Sequence, residues 1–253
     1  NVPAWYITFW ATTKLGAVLV TVNTAYKIHE AEYLLRQSDT HTLVMIESAL
    51  DSNYRSIINE ICPEIEKTKA GQPLHCKRLP FLRNVITIDY KQKGCLTFDE
   101  AMARADLVPL EEVQRMAAAI HPDDVCNMQY TSGTTGFPKG VMLTHYNVVN
   151  NGKCIGDRLG LSTADRMMVQ VPMFHCFGMV LTMTSSMTHG ATLCPLPYFS
   201  AKSSLACINQ ERITAMNGVP TMFIAMFNHP DYRKTDFSHM RTGIMAGAGC
   251  PPE

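Results

Sequence analysis

Short β-branched runs alternate with segments of helical composition along this chain, and no other feature narrows its fold so far. Residues 5–15 have helical composition and end near Gly16, and residues 17–22 read as a buried strand. A helix over 28–38 follows, with Leu34 and Leu35 on one face, then a strand over 41–46 and a helix over 51–61 stopped by Pro63. Residues 85–88, 125–130, 141–143, 168–172 and 191–196 read as further strands. Helices are expected from Thr97, over 146–159 and over 178–187; Asp99 and Glu100 suit the positive end of the first. Such alternation predicts an α/β fold with mostly parallel sheets. Residues 71–80, polar and with two prolines, read as an exposed loop.

Length and composition set the remaining bounds. At ~150 residues per domain, 253 residues make one large domain or two small ones. With 46% hydrophobic and 17% charged residues, a sizeable core is available and disorder is excluded. Lys+Arg and Asp+Glu are both 22, which removes bulk charge as a basis for nucleic-acid binding. No apolar run is long enough to span a bilayer, and the greasiest stretch, 177–187, is broken by Thr182, Thr184, Ser185 and Ser186. No basic stretch precedes an apolar run at the start, so the chain reads as entered in mid-fold rather than through a signal peptide. Nine cysteines without a CxxC pair, and no N-x-S/T sequon, point to a reducing, cytoplasmic setting.

One segment carries chemistry. Residues 130–145 read YTSGTTGFPKGVMLTH: five Ser/Thr hydroxyls and three glycines around one lysine, directly after an expected strand. Glycines let backbone N–H groups approach an anion, hydroxyls rotate to suit phosphate oxygens, and Lys139 adds a point charge. This is not a Walker A loop, because Phe137 and Pro138 separate Gly136 from Lys139 and Pro138 biases Phe137 away from helix. A hydroxyl-rich lid over a triphosphate fits better than a plain turn, and residues 131–139 are expected as an exposed, mobile loop between two strands.

TSGTTGFPKG closely resembles the phosphate-loop signature of the adenylate-forming superfamily, which includes acyl-CoA synthetases, luciferases and peptide-synthetase adenylation domains. The resemblance continues through NVPAWYITFWATTKLGAVLVTVNTAY at the start, VPMFHCFGM, VPTMF and GIMAGAGCPPE, with the nearest likeness to medium- and long-chain fatty-acyl-CoA synthetases. It implies two stacked α/β subdomains, one over 1–160 holding the phosphate loop and a second, truncated, over 161–253. It implies ATP, magnesium, coenzyme A and a small carboxylic acid as ligands. By the same resemblance Thr131, Ser132, Gly133, Thr134, Thr135, Gly136 and Lys139 hold phosphates, and Thr131 helps bind magnesium. His175 orients the acid or gates its channel, and Gly247, Ala248 and Gly249 touch the adenine or the acyl head. The family's downstream Tyr-Gly-x-Thr-Glu motif, ribose-binding Asp and catalytic Lys are not among these residues, so the chain resembles the middle half of such an enzyme and is expected to be inactive by itself.

Two rivals remain. One is a non-catalytic nucleotide-binding module using the same loop; the other is an aryl-acid or amino-acid adenylating enzyme, whose charged or aromatic selector is not identifiable here. Residues 121–253 hold 9 basic and 8 acidic residues but 13 of the 16 methionines. A section so poor in charge is core, an acyl channel, or a face covered by further protein; the last predicts self-association through residues 190–253, leaving the polar loop face free.

Other residues read more plainly. His175 has no partner at metal-ligand spacing and would ordinarily be a satisfied core histidine, and His145 is expected to cap the turn after the loop. Asp123 and Asp124 read as strand-initiating. Cys76, beside Lys77 and Arg78, reads as an exposed loop thiol, and the other cysteines show no activating neighbour. Gly243, Gly247 and Gly249 do not make GxGxxG, so a dinucleotide site is not expected.

Overall fold

The computed structural model describes residues 1–131 and 138–250. The chain divides into two compact units, one of Ile7–Met142 and one of Asn1–Tyr6 with Leu143–Glu253. Helix α1 (Pro3–Lys14) begins in the second and continues into the first.

The first unit then runs through β1 (Leu19–Val20), α2 (Ile28–Gln37), β2 (Thr42–Ile46), β3 (Ser48–Ala49), β4 (Ser52–Asn53), α3 (Tyr54–Ile61), β5 (Asn84–Ile88), β6 (Leu96–Thr97), α4 (Phe98–Met102), α5 (Leu110–Ala118), β7 (Val125–Thr131) and β8 (Lys139–Thr144). Strands β2, β5 and β6 form a parallel sheet, and β1 pairs in parallel with β7, which is bonded on its other side to β8. Strands β3 and β4 pair antiparallel, as a two-residue ribbon. Ala31, Leu34 and Leu35 bury one stripe of α2 at i, i+3, i+4 spacing. Asn53 caps α3 by accepting from Ser56 N at 2.8 Å. At α4, Thr97 Oγ1 accepts from Glu100 N at 3.1 Å while Glu100 accepts from Thr97 N at 2.8 Å, a capping box that bears out the helix start read from Thr97. Leu34, Ile58, Ile61, Ile65, Leu74, Leu82 and Val85 close the core.

The expected exposed loop over 71–80 is half wrong. Leu74, Cys76 and Leu79 are buried while Lys77 stays out, because the apolar residues interleaved in that polar stretch turn under α3. The strand expected over 17–22 shrinks to Leu19–Val20, the two residues that find partners in β7.

The second unit contains α6 (His145–Leu159), β9 (Arg166–Val169), α7 (Cys176–Gly178), a π-helical stretch Met179–Thr184, α8 (Ser185–Thr188), β10 (Thr192–Pro195), α9 (Ala201–Glu211), β11 (Ala215–Gly218), α10 (Pro220–Phe227) and β12 (Thr242–Met245). Its four strands lie in the order β10-β9-β11-β12, all parallel. The helix expected over 178–187 is thus wider-wound in its middle. There Thr182 Oγ1 donates to Phe177 O and Thr184 Oγ1 to Met179 O, both at 2.9 Å, so hydroxyls occupy carbonyls that a regular helix would have used. Helix α6 packs directly on this segment. A Cβ on Gly152 would stand 2.6 Å from Thr184 Cγ2, and one on Gly156 2.2 Å from the His189 ring, so only glycine permits the approach. Mostly parallel sheets with helical crossovers bear out the α/β reading.

Candidate functional site

The parallel sheet of the second unit fixes where a ligand can sit in it. From the adjacent pair β9 and β11, the connection out of β9 runs to β10 on one side and that out of β11 runs to β12 on the other. Loops leaving the carboxyl ends of such a pair diverge and leave a crevice, the usual ligand position of an open parallel sheet. His175 follows the end of β9, Val219 and Pro220 follow β11, and Gly247, Ala248 and Gly249 follow β12. Three separate sequence segments therefore emerge at the same end of one sheet.

The floor at this end is polar and fully bonded. Gln170 Nε2 donates to Asn217 O at 3.1 Å and accepts Ser204 Oγ on its own oxygen at 2.8 Å. Asn217 Nδ2 donates to Thr182 Oγ1 at 2.8 Å, and Asn217 Oδ1 accepts from Ile244 N at 3.0 Å. This network joins β9, β11, β12 and the π-helical stretch, and sequence reading singled out none of it. Buried amides and hydroxyls at the ends of apolar strands were the available signal. Asn1 was missed as well: its side chain donates to Val171 O at 3.0 Å and accepts from Met173 N at 2.8 Å, holding the segment that leads to His175.

His175 is exposed, not a core histidine. Its Nδ1 accepts from Phe177 N at 3.1 Å and lies 3.8 Å from Cys176 Sγ. That thiol contact raises the His175 pKa, and in return hydrogen bonding to His175 lowers the Cys176 pKa despite partial burial. Cys176 therefore has the activating neighbour that sequence reading denied it. Gly247 adopts φ +88°, the left-handed region, so the turn after β12 needs glycine there.

In the first unit, Thr131 ends β7 and Lys139 opens β8, both exposed. The two strands are bonded neighbours in one sheet. Ser132, Gly133, Thr134, Thr135 and Gly136 lie outside the described residues. A hydroxyl and an ammonium at these ends fit an anionic polyphosphate. Thr131 supplies a hard but uncharged oxygen, suited to a magnesium ion that phosphate oxygens also hold. Beyond β8, Thr144 rather than His145 caps α6, exchanging hydrogen bonds with Asn147 at 3.0 and 3.2 Å. His145 occupies the first helical turn, with its buried Nε2 lacking a hydrogen-bond partner among the described residues. Asp124 carries the turn before β7 by accepting from His121 N at 2.7 Å.

The family described as AMP-binding enzyme matches residues 1–253. The chain belongs to this family. Among curated relatives, the chain is 45% identical over its whole length to YngI of Bacillus subtilis (strain 168), whose name places it among the acyl-CoA synthetases, and covers 46% of it. It is 39% identical to the mitochondrial medium-chain acyl-CoA ligase ACSF2 of Mus musculus, again over its whole length, and covers 42% of that protein. The chain thus spans less than half the length of these relatives. Among solved structures, the anthranilate CoA ligase AuaEII in complex with anthranoyl-AMP superposes with a TM-score of 0.78 at 25% identity, over 99% of this chain and 44% of that one. The N-terminal domain of FACL13 from Mycobacterium tuberculosis shares the fold, with a TM-score of 0.74 at 24% identity, over 100% of this chain and 56% of that one. No described helix of the chain is long and apolar enough to cross a membrane.

Proposed function

We propose that this chain is part of an AMP-forming acyl-CoA synthetase that activates a medium- or long-chain fatty acid. The whole-chain identity of 39% to ACSF2, a named medium-chain acyl-CoA ligase, carries this reading, and the 45% identity to YngI supports it. In the first half-reaction a carboxylate oxygen attacks the α-phosphorus of ATP and pyrophosphate leaves. In the second, the thiol of coenzyme A attacks the acyl carbon of the adenylate and AMP leaves.

A carboxylate is a weak nucleophile, so rate rests on stabilising charge at the phosphates. Lys139, with Thr131, Ser132, Gly133, Thr134, Thr135 and Gly136, holds the β- and γ-phosphates. Magnesium, when bound, neutralises part of the phosphate charge, and Thr131 offers it one oxygen. His175, exposed beyond β9, orients the acid, and Gly247, Ala248 and Gly249 flank the adenine or acyl head. Residues 1–160 are proposed as the first subdomain and 161–253 as the second. Nine free thiols suit a reducing compartment, and we place the protein there, in the cytoplasm.

Anthranoyl-AMP in the AuaEII structure favours an aryl acid as the second reading. Pyrophosphate exchange by the longer chain that contains these residues, with octanoate, palmitate and benzoate in parallel, tests both. Exchange that is strong with octanoate or palmitate and weak with benzoate is expected. A benzoate preference would replace the fatty-acid reading, and nucleotide binding without exchange on any acid would leave a binding module. The 253 residues alone are expected to bind nucleotide without turnover; robust exchange by them would overturn the roles assigned to the family's other residues.

A further inference from the structure

Cys62, Glu64 and Cys76 meet in the first unit, and none of them has a part in the proposed chemistry. Their sulfur and carboxylate ligand atoms all lie within 4.8 Å of one another. Cys62 terminates α3, and Pro63 starts a tight 3-10 turn, Pro63–Lys67, that brings Glu64 back beside it. Cys76 arrives from the segment that folds under α3. Its Sγ lies 3.6 Å from Ile61 O and accepts from Leu79 N at 3.3 Å. Arg78 clamps the same segment, through Nε to Glu32 at 2.9 Å and through Nη1 to Glu60 O at 3.1 Å.

Both cysteines are buried, at 0% and 4% exposure. Glu64 Oε1 accepts from Lys77 N at 3.3 Å, and its Oε2 is buried near the two thiols. Among the described residues no Lys, Arg or His forms an ion pair with Glu64, since Arg78 is committed to Glu32. Two sulfurs and one carboxylate suit a borderline-soft ion of tetrahedral habit. Zn–S bonds of about 2.3 Å set tetrahedral sulfurs roughly 3.8 Å apart, so sulfurs within 4.8 Å of one another need a contraction of at most about 1 Å.

We propose that Cys62, Glu64 and Cys76 bind one zinc-class divalent cation through two thiolates and one carboxylate. Burial pushes the Cys62 thiol up. A thiol that ligates the ion gives up its proton as the ion enters, with no change of oxidation state. The bound ion ties the end of α3 to the segment carrying Cys76 and leaves a fourth position for water.

Zinc analysis of the protein, expressed with added zinc and purified under reductant, tests this. About one zinc per chain is expected, falling to background in Cys62→Ser and Cys76→Ser. Glu64→Gln, which keeps an oxygen for Lys77 N and so preserves the turn, should weaken zinc roughly tenfold or more in a chelator competition. Cobalt(II) added to the zinc-free protein should give thiolate-to-cobalt charge-transfer absorption, lost in either serine variant. Background zinc in the unaltered protein would overturn the site. So would a Cys62–Cys76 disulfide in the zinc-supplemented protein, or undiminished zinc in Cys76→Ser.

Discussion

Arg241 Nε donates to Asp165 Oδ1 at 2.8 Å, and the Arg241 Nη2 donates to the other carboxylate oxygen. The same guanidinium donates to Leu159 O at 3.1 Å and Gly160 O at 2.8 Å, closing the carboxyl end of α6. Asp165 also accepts from Thr214 Oγ1 at 2.7 Å and Ser162 N at 2.8 Å. One carboxylate thus joins the residues that start β9, β11 and β12, opposite the end where the candidate ligand residues emerge.

This pair makes stability depend on acid. Burial alone would push Asp165 up, but the hydrogen bonds from Arg241, Thr214 and Ser162 outweigh it and hold the group at about 2. A folded-state value below the unfolded one means the contribution is complete above about pH 4 and is lost as pH falls toward about 2. Asp165→Asn is expected to lose roughly 2 kcal/mol at neutral pH and to flatten the dependence of Tm on pH in that window. An unchanged acid limb in the variant would refute the assignment.

Lys139→Ala should weaken ATP binding by roughly ten- to a hundredfold, the usual range for a lost charge-assisted hydrogen bond. Calorimetric titration with ATP measures it, and circular dichroism checks the fold. An exposed lysine at a strand end has little packing to lose, so unaltered affinity would remove it from the phosphate site.

Three of the nine cysteines are exposed: Cys154, Cys176 and Cys250. Cys176 has its thiol pKa lowered by a histidine contact. Iodoacetamide followed by peptide mass spectrometry should modify Cys176 first, at a pH below the usual thiol range. His175→Ala should move that pH profile upward without exposing the buried cysteines. Faster modification of Cys154 would contradict this.

Strand β12 is the edge of its sheet, and Ile224, Phe227 and Met245 are exposed in the same unit. An unpaired edge beside apolar side chains favours association. Light scattering of these 253 residues should show mass rising with concentration, and Phe227→Lys should reduce it. A clean monomer at high concentration would reject the expectation.

Local sequence determined the α/β class, the helix start at Thr97, the strand pair around the phosphate loop and the family likeness. Each of these is set by residues within one or two turns of chain, where propensity, glycine freedom and hydroxyl spacing act directly. It left α9, α10, β11 and β12 unread, because their Met-, Ala- and Cys-rich residues carry little contrast between faces. Tertiary structure alone decided three matters. The polar stretch 71–80 is partly core, since its alternate apolar residues find α3 above them. His175 is exposed, because a sheet end, not its apolar neighbours, sets its surroundings. Cys62 and Cys76, 14 residues apart with no ligand spacing between them, share one site because Pro63 turns the chain and Arg78 clamps the returning segment. Spacing along a chain reports proximity only when a single element carries both residues; here the contact depends on three.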